Sequence, residues 1–150
     1  MYLGFMVGKT FDDNVTNLML AIGLLTRRVR SAVASNDLSW TQKTVMALLA
    51  KEGPATAADL ARAEGMKPQS MGTTIAELQE LGLVDRKPHS TDGRQMLIEL
   101  TAKGLAVRKA ASDEKRTWLS KAIAKLDKEE RDTLFAAGDI IMRLVEKTPE

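Results

Sequence analysis

Residues 60–101 read LARAEGMKPQSMGTTIAELQELGLVDRKPHSTDGRQMLIELT. Within this stretch Met71, Ile75, Leu78 and Leu81 recur at helical spacing and form a predicted buried stripe, which Gly82 ends. After Gly82 two short extended runs flank a polar tip at residues 89–93, which is typical of a hairpin. A helix pair followed by a hairpin predicts a mainly α chain with a small β-hairpin wing, the winged helix-turn-helix.

The helices before the hairpin carry recognisable start and stop signals. Ser39 is a suitable N-cap for a helix from Trp40 to Lys51, and glycine and proline follow at positions 53 and 54. Thr56, with an acidic residue three positions later, predicts a short helix that runs to Glu64. Gly65 then makes the turn, and a proline at position 68 suits the first turn of the next helix, the recognition candidate.

Long helices are predicted at both ends of the chain. A stripe of apolar residues marks a helix from Phe11 to Ala34. Thr101 is a suitable N-cap for a further helix that runs through Lys125, and Leu126-Asp127 leads into a last helix that runs to about Glu146. Their apolar faces lie outside the winged unit and need a partner surface, for which the same helices of a second copy are the simplest choice. We therefore expect dimerisation helices at 1–37 and 102–150, around a winged lobe at 38–101 with its helix-turn-helix at 56–82 and its wing at 83–100.

Composition restricts the classes of protein that this chain can be. Its 150 residues, 44% of them hydrophobic, suffice for one compact unit and are too few for two enzyme domains. The absence of cysteine excludes disulfides, zinc-thiolate sites and thiol redox sensing. With neither a leader peptide nor a membrane span apparent, we expect a soluble cytoplasmic protein. We find no phosphate loop, metal-ligand spacing or nucleophile elbow, so no enzyme, cofactor or metal site is predicted.

The charge of the predicted lobe is uneven. Residues 56–100 contain two more acidic than basic residues, which is unusual for a nucleic-acid-binding domain. From Arg86 to Arg94, however, the basic side chains and His89 are opposed only by Asp92. Any electrostatic attraction for DNA is therefore expected at the wing.

Three segments resemble the MarR (multiple antibiotic resistance regulator) family of transcription factors. They are LSWTQKTVMALLAKEG at 38–53, ELQELGLVDR at 77–86 and DGRQMLIELTAKG at 92–104, of which the last is similar to the family's wing signature. The resemblance implies a winged helix in a homodimer that binds pseudo-palindromic double-stranded promoter DNA. It further implies a repressor that is released by a small molecule, for example an aromatic or lipophilic effector.

The resemblance also implies roles for individual residues. Arg94 matches the wing arginine that enters the minor groove, where a narrow groove concentrates negative potential, and Asp92 matches the acidic residue that organises the wing. The first half of the recognition helix presents side chains that can reach bases or phosphates. The candidate DNA-binding residues are Lys67, Gln69, Ser70, Thr73, Thr74, Arg86, Lys87, His89 and Arg94.

Several of these residues have plainer interpretations. Arg94 alone would be an ordinary solvated hairpin arginine, and His89 would be a surface residue of a turn with or without a phosphate contact. Gly72 is interpreted as allowing the recognition helix to pack closely against the helix before it. Thr73, where relatives commonly have arginine, and the acidic balance leave a second hypothesis, a winged-helix protein-interaction module without DNA binding.

Overall fold

The computed structural model describes residues 9–33, 37–89 and 91–147 of the chain. Its elements in chain order are α1 (Phe11–Ser31), α2 (Trp40–Glu52), β1 (Ala55–Thr56), α3 (Ala57–Ala63), α4 (Pro68–Glu80), β2 (Val84–Pro88), β3 (Met96–Leu100), α5 (Ala102–Ile123) and α6 (Lys128–Lys147). The chain divides into two compact units, one made of Met1–Val33 with Glu114–Glu150 and the other of Ala34–Asp113. The predicted mainly helical fold with a small wing is thereby confirmed.

The sheet of the second unit has one strand more than the sequence predicted. Its order is β1-β3-β2, with both pairs antiparallel, and the hairpin register runs from Val84 opposite Leu100 to Pro88 opposite Met96. In β1, Ala55 pairs with Ile98 and Thr56 with Leu97. The predicted hairpin is confirmed, and β1 adds a third strand that was not predicted, because a two-residue strand is too short to show a sequence period.

The core of this unit joins α2, α3 and α4 to the sheet. It consists of Val45, Met46, Leu49, Leu60, Ala61, Met71, Ile75, Leu78, Leu83, Val84 and Ile98. Leu81 was predicted to belong to the buried stripe of α4. That prediction was wrong, because its side chain is 46% exposed. Leu81 is the C-cap of α4 rather than part of its last turn, and Gly82 follows with φ +74°, where a glycine reverses the chain without strain.

Polar side chains fix the starts of the helices in this unit. At α2 a capping box forms: the Gln42 backbone N–H donates to the Ser39 hydroxyl, and the Ser39 N–H donates to the Gln42 side-chain oxygen. The Gln42 amide nitrogen then donates to a carboxylate oxygen of Glu77 at 2.8 Å, which ties the start of α2 to α4. At α3 the Asp59 N–H donates to the Thr56 hydroxyl, and the hydrogen bond between the side chains of these residues lowers the pKa of Asp59.

The start of α5 is bonded to the end of α4. Thr101, its predicted N-cap, donates its hydroxyl to the Gly82 carbonyl oxygen at 2.6 Å and accepts the Gly104 N–H at 3.0 Å. The Thr101 N–H donates to the Leu83 carbonyl oxygen, and the Lys103 ammonium donates to that of Leu81 at 2.8 Å. A lysine is favourable there because the last carbonyl groups of a helix carry partial negative charge. The winged lobe therefore includes the first turns of α5.

The Thr101 hydroxyl gives a testable stability contribution. Thr101→Val keeps the shape of the side chain but leaves the Gly82 carbonyl and the Gly104 N–H without that partner, so we expect destabilisation by about 2 kcal/mol. Thr101→Ser retains a hydroxyl and is expected to stay close to the wild type. Urea unfolding of the full chain at fixed protein concentration measures both. Equal midpoints for the two variants would contradict this account of the cap.

The helices of the first unit leave their apolar side chains uncovered. Within the described helices α1 and α6 no residue is buried, and Phe11 and Val145 are 81% and 70% exposed. The helix α1 ends at Ser31, so it is shorter than the predicted helix. The predicted end at Ala34 lies outside the described residues. None of the helices in the described ranges combines the length and the hydropathy that a membrane crossing requires.

Candidate nucleic-acid interface

The first half of α4 presents an open polar surface. Met71 and Ile75 are buried in the core and fix the rotation of the helix, so that the side chains of Lys67, Gln69 and Ser70 are exposed. Thr73 is exposed as well, and its hydroxyl donates to the Gln69 carbonyl oxygen at 3.3 Å. A helix held in this way offers short polar side chains that are suited to base edges and phosphates.

Two positions on α4 differ from the sequence interpretation. Thr74 is only 8% exposed, and its hydroxyl donates to the Ser70 carbonyl oxygen, so this side chain faces the core. The interpretation of Gly72 as a close-packing residue was wrong, because a Cβ built on it meets no atom within 4 Å. The glycine therefore leaves open space on this helix rather than admitting a neighbour.

The wing tip holds its one exposed arginine by its backbone. The Arg94 N–H donates to an Asp92 side-chain oxygen at 3.1 Å, the Gln95 N–H donates to the Asp92 carbonyl oxygen, and the His89 N–H donates to the Gln95 carbonyl oxygen. In the part of the wing that the structure describes, which omits residue 90, the Arg94 guanidinium makes no hydrogen bond or ion pair. Asp92 thus shapes the turn while the charge of Arg94 stays available.

The other basic residues of the wing are engaged with protein groups. The Arg86 Nε donates to the Gln79 side-chain oxygen at 3.0 Å, which links the wing to α4. The Lys87 ammonium lies 2.7 Å from a Glu99 carboxylate oxygen, across the hairpin. Sequence reasoning missed both partners. The signal for Glu99 was the hairpin register, since Lys87 is diagonal to it when Asp85 and Glu99 are opposite.

His89 also has a role that the sequence did not indicate. Its ring is half-buried, and its Nδ1 lies within hydrogen-bond distance of the backbone N–H groups of Thr91 and Asp92. Within the described residues no group of three or more His, Asp or Glu side chains is arranged to hold a metal ion. The candidate interface therefore consists of an exposed helix end and a wing tip that presents the Arg94 guanidinium, both on one compact unit.

Comparison with known proteins identifies the family. The sequence profile of the MarR family matches residues 36–95. The chain is 38% identical over 134 residues to the "Uncharacterized HTH-type transcriptional regulator Mb0904" of Mycobacterium bovis, covering 89% of this chain and 94% of that protein. The chain belongs to the MarR family. As a MarR-family transcriptional regulator it is not an enzyme, and the predicted resemblance is confirmed.

A more distant relative and two solved structures extend the comparison. The "HTH-type transcriptional repressor Mb2911" of Mycobacterium bovis is 27% identical, over 80% of this MarR-family chain and 87% of the relative. The crystal structure of Rv1404 from Mycobacterium tuberculosis aligns with a TM-score of 0.79 at 25% identity and covers 98% of this chain and 100% of its own. A mutant of Staphylococcus aureus MepR bound to an oligodeoxyribonucleotide aligns with a TM-score of 0.69 at 16% identity, covering 92% and 99% of the two chains, and shows the shared fold.

Proposed function

We propose that this MarR-family regulator is a homodimer that binds pseudo-palindromic double-stranded DNA in a sequence-specific manner. The observation that carries the proposal is the wing tip, where Asp92 holds the backbone of Arg94 and leaves its guanidinium open. The exposed first half of α4 on the same compact unit supports it. The DNA-bound state of the MepR mutant, a protein of the same fold, is a further support.

The proposal divides the interface residues by task. Gln69 reads a base edge in the major groove, since its amide can pair with adenine, and Ser70 and Thr73 lie on the same exposed surface. Lys67 contacts a phosphate, and Arg94 enters the minor groove. We leave Thr74 out of this set because its side chain is buried and bonded to the Ser70 carbonyl.

The wing residues Arg86 and Lys87 have a supporting task in this proposal. The Arg86 bond to Gln79 fixes the wing against α4, and the Lys87 bond to Glu99 offsets a charge on the hairpin. The Arg86 guanidinium and the Lys87 ammonium each have a partner within the protein, so we expect them to contribute less to DNA affinity than Arg94. The Lys87–Glu99 ion pair is exposed and therefore weak, so a DNA phosphate can replace Glu99 as the partner of Lys87 at low cost.

A second copy of the chain is proposed to cover the apolar faces of α1 and α6. Exposed apolar stripes of this length are rare on a monomer and typical of an obligate interface. Two lobes in one dimer then read two half-sites about 34 Å apart, which is one turn of DNA. The two-fold symmetry of the protein is the reason to expect a pseudo-palindromic operator.

We further propose that the protein is a cytoplasmic repressor which a small aromatic or lipophilic effector releases. The name of the 27% identical relative, a transcriptional repressor, supports the first part. An effector releases DNA only if it binds more tightly to a dimer whose lobes have the wrong spacing. Without cysteine, the signal is expected to be a bound molecule rather than thiol oxidation.

Replacing the wing arginine tests the proposal directly. Arg94→Ala removes one minor-groove guanidinium from each half-site, so we expect affinity to fall about 100-fold, given ~1–3 kcal/mol per specific arginine contact. The measurement is fluorescence anisotropy on the promoter of the protein's own gene and on duplexes selected from a random pool, at two salt concentrations. Arg116→Ala on α5 removes an equal charge outside the winged lobe and is expected to retain binding.

The same titration distinguishes a DNA-binding regulator from a protein-interaction module. If the wild type shows no salt-dependent binding to either DNA source, the protein-interaction module becomes the better account. Equal losses for Arg94→Ala and Arg116→Ala would mean that net charge, not the wing, governs binding.

A further inference from the structure

Two backbone N–H groups and one hydroxyl group converge on one nitrogen atom at the wing tip. The Nδ1 of His89 lies 3.2 Å from the backbone nitrogen of Thr91, 3.3 Å from that of Asp92 and 3.1 Å from the Thr91 hydroxyl oxygen. The half-buried ring therefore faces the turn, and its Nδ1 is occupied by protein groups.

This geometry gives the Nδ1 of His89 the role of a hydrogen-bond acceptor. A backbone N–H can only donate, so two amides aimed at Nδ1 require a lone pair on that atom. The form of the ring that fits these two bonds is the tautomer with its proton on Nε2. A proton added at Nδ1 would remove both acceptor bonds and set an N–H group against two others, and the turn would lose its side-chain support.

The supported turn is the one that carries Arg94. The His89 N–H donates to the Gln95 carbonyl oxygen at 2.9 Å and so closes the tip, while Asp92 accepts the N–H groups of Arg94 and Gln95. His89 holds the chain before Arg94, and Asp92 holds Arg94 itself. The side chains of His89 and Asp92 together order the wing tip.

We propose that neutral His89 is a positioning residue for DNA binding, and that its protonation loosens the wing and makes operator binding acid-sensitive. The proposal rests on the DNA-binding function proposed above. It replaces the phosphate contact considered for His89 from the sequence. The two roles predict opposite effects of acid on DNA affinity. A phosphate contact becomes stronger when the histidine gains a positive charge, whereas a ring that accepts hydrogen bonds from backbone N–H groups loses these bonds when it is protonated.

The surroundings make the titration interpretable. His89 is the only histidine of the chain, and histidine is the side chain whose charge ordinarily changes between about pH 5 and 8. The charged groups of the described wing are Asp92 and Arg94 in the tip and Asp85, Arg86, Lys87 and Glu99 on the strands, where Arg86 is bonded to Gln79 and Lys87 to Glu99.

The first experiment reads the ring itself, without DNA. Long-range proton–nitrogen NMR of this chain gives a single imidazole pattern, which we expect at pH 8 to be that of the Nε2-protonated tautomer. Acidification should move the amide signals of Thr91 and Asp92 together with the ring. A ring protonated on Nδ1, or an unbiased mixture of tautomers, would overturn the proposal whether or not the protein binds DNA.

The second experiment measures anisotropy at pH 8 and pH 5.5 with the duplex that the wild type selects. We expect wild-type affinity to fall about tenfold at the lower pH, and His89→Ala to be weak at both. His89→Asn supplies a non-titrating oxygen that can accept the same amides, so it should bind at both pH values like the wild type at pH 8.

Two results would contradict the role in DNA binding. Wild-type affinity that rises on acidification, with His89→Asn unchanged, would indicate a phosphate contact. A His89→Ala variant equal to the wild type at pH 8 would show that the ring does not support the wing. A wild type that binds no duplex at either pH would overturn the DNA-binding proposal, and the tautomer measurement would then decide the structural role alone.

Discussion

Gly104→Ala is expected to destabilise the winged lobe by about 3 kcal/mol, the upper part of the range for overpacking a buried site. A Cβ at this position would overlap the Leu83 carbonyl oxygen and lie 3.1 Å from a Leu100 methyl carbon. The nearest atom belongs to the backbone and cannot rotate away. The start of α5 would have to separate from residues 82 and 83, which breaks the bonds that Thr101 makes there.

A second glycine provides a matched control for this change. Gly72 lies inside α4, and a Cβ there meets nothing within 4 Å, so Gly72→Ala should stabilise the protein by up to about 1 kcal/mol through helix propensity. Urea unfolding followed by circular dichroism, at one protein concentration, compares both variants with the wild type. A Gly104→Ala midpoint equal to that of the wild type would show that α5 does not need this close approach.

Ile22→Asp is expected to dissociate the dimer and to weaken operator binding about 100-fold or more. Ile22 lies in the exposed apolar stripe of α1 with Leu18 and Leu25, and an unpaired carboxylate in a covered apolar interface is strongly unfavourable. A monomer binds one half-site at a time and loses the gain that comes from linking two sites. Sedimentation should give the mass of one chain, 16.4 kDa, instead of twice that value.

Asn17→Asp is the control for the dimer variant. It adds the same charge to the same helix, at a position outside the apolar stripe, and should leave both mass and affinity close to those of the wild type. If Ile22→Asp remained a dimer with unchanged affinity, the α1 stripe would not be the subunit interface. A monomeric wild type would refute the dimer proposal as a whole.

Local sequence signals predicted most of the helices. Ser39, Thr56 and Thr101 each accept an N–H three residues later, as their side chains and positions indicated. Leu81 failed as a core residue because the apolar period continued one step beyond the helix, where the C-cap turns the chain outward. Thr74 failed as an exposed residue because helical rotation, fixed by Met71 and Ile75, turns it toward the core.

The candidate site was predictable in its parts but not in its connections. The wing followed from two extended runs around a polar tip, and the role of Asp92 beside Arg94 was implied by the resemblance of residues 92–104 to the MarR wing signature. The partners of the other basic residues did not follow, because Arg86 meets Gln79 seven positions away and Lys87 meets Glu99 across the hairpin. Pairings of that kind depend on a register that a local pattern does not contain.

The amino-acid sequence by itself determined the order of helices and the winged helix-turn-helix, because caps, turns and apolar periods act over three or four residues. The family followed from the resemblance of three segments to MarR regulators. The tertiary structure alone decided the third strand, the hydrogen bonds that join the start of α5 to Gly82 and Leu83, and the orientation of the His89 ring toward the wing turn. Each of these depends on where separate segments meet. Burial then leaves backbone donors and acceptors that only a correctly placed partner can satisfy.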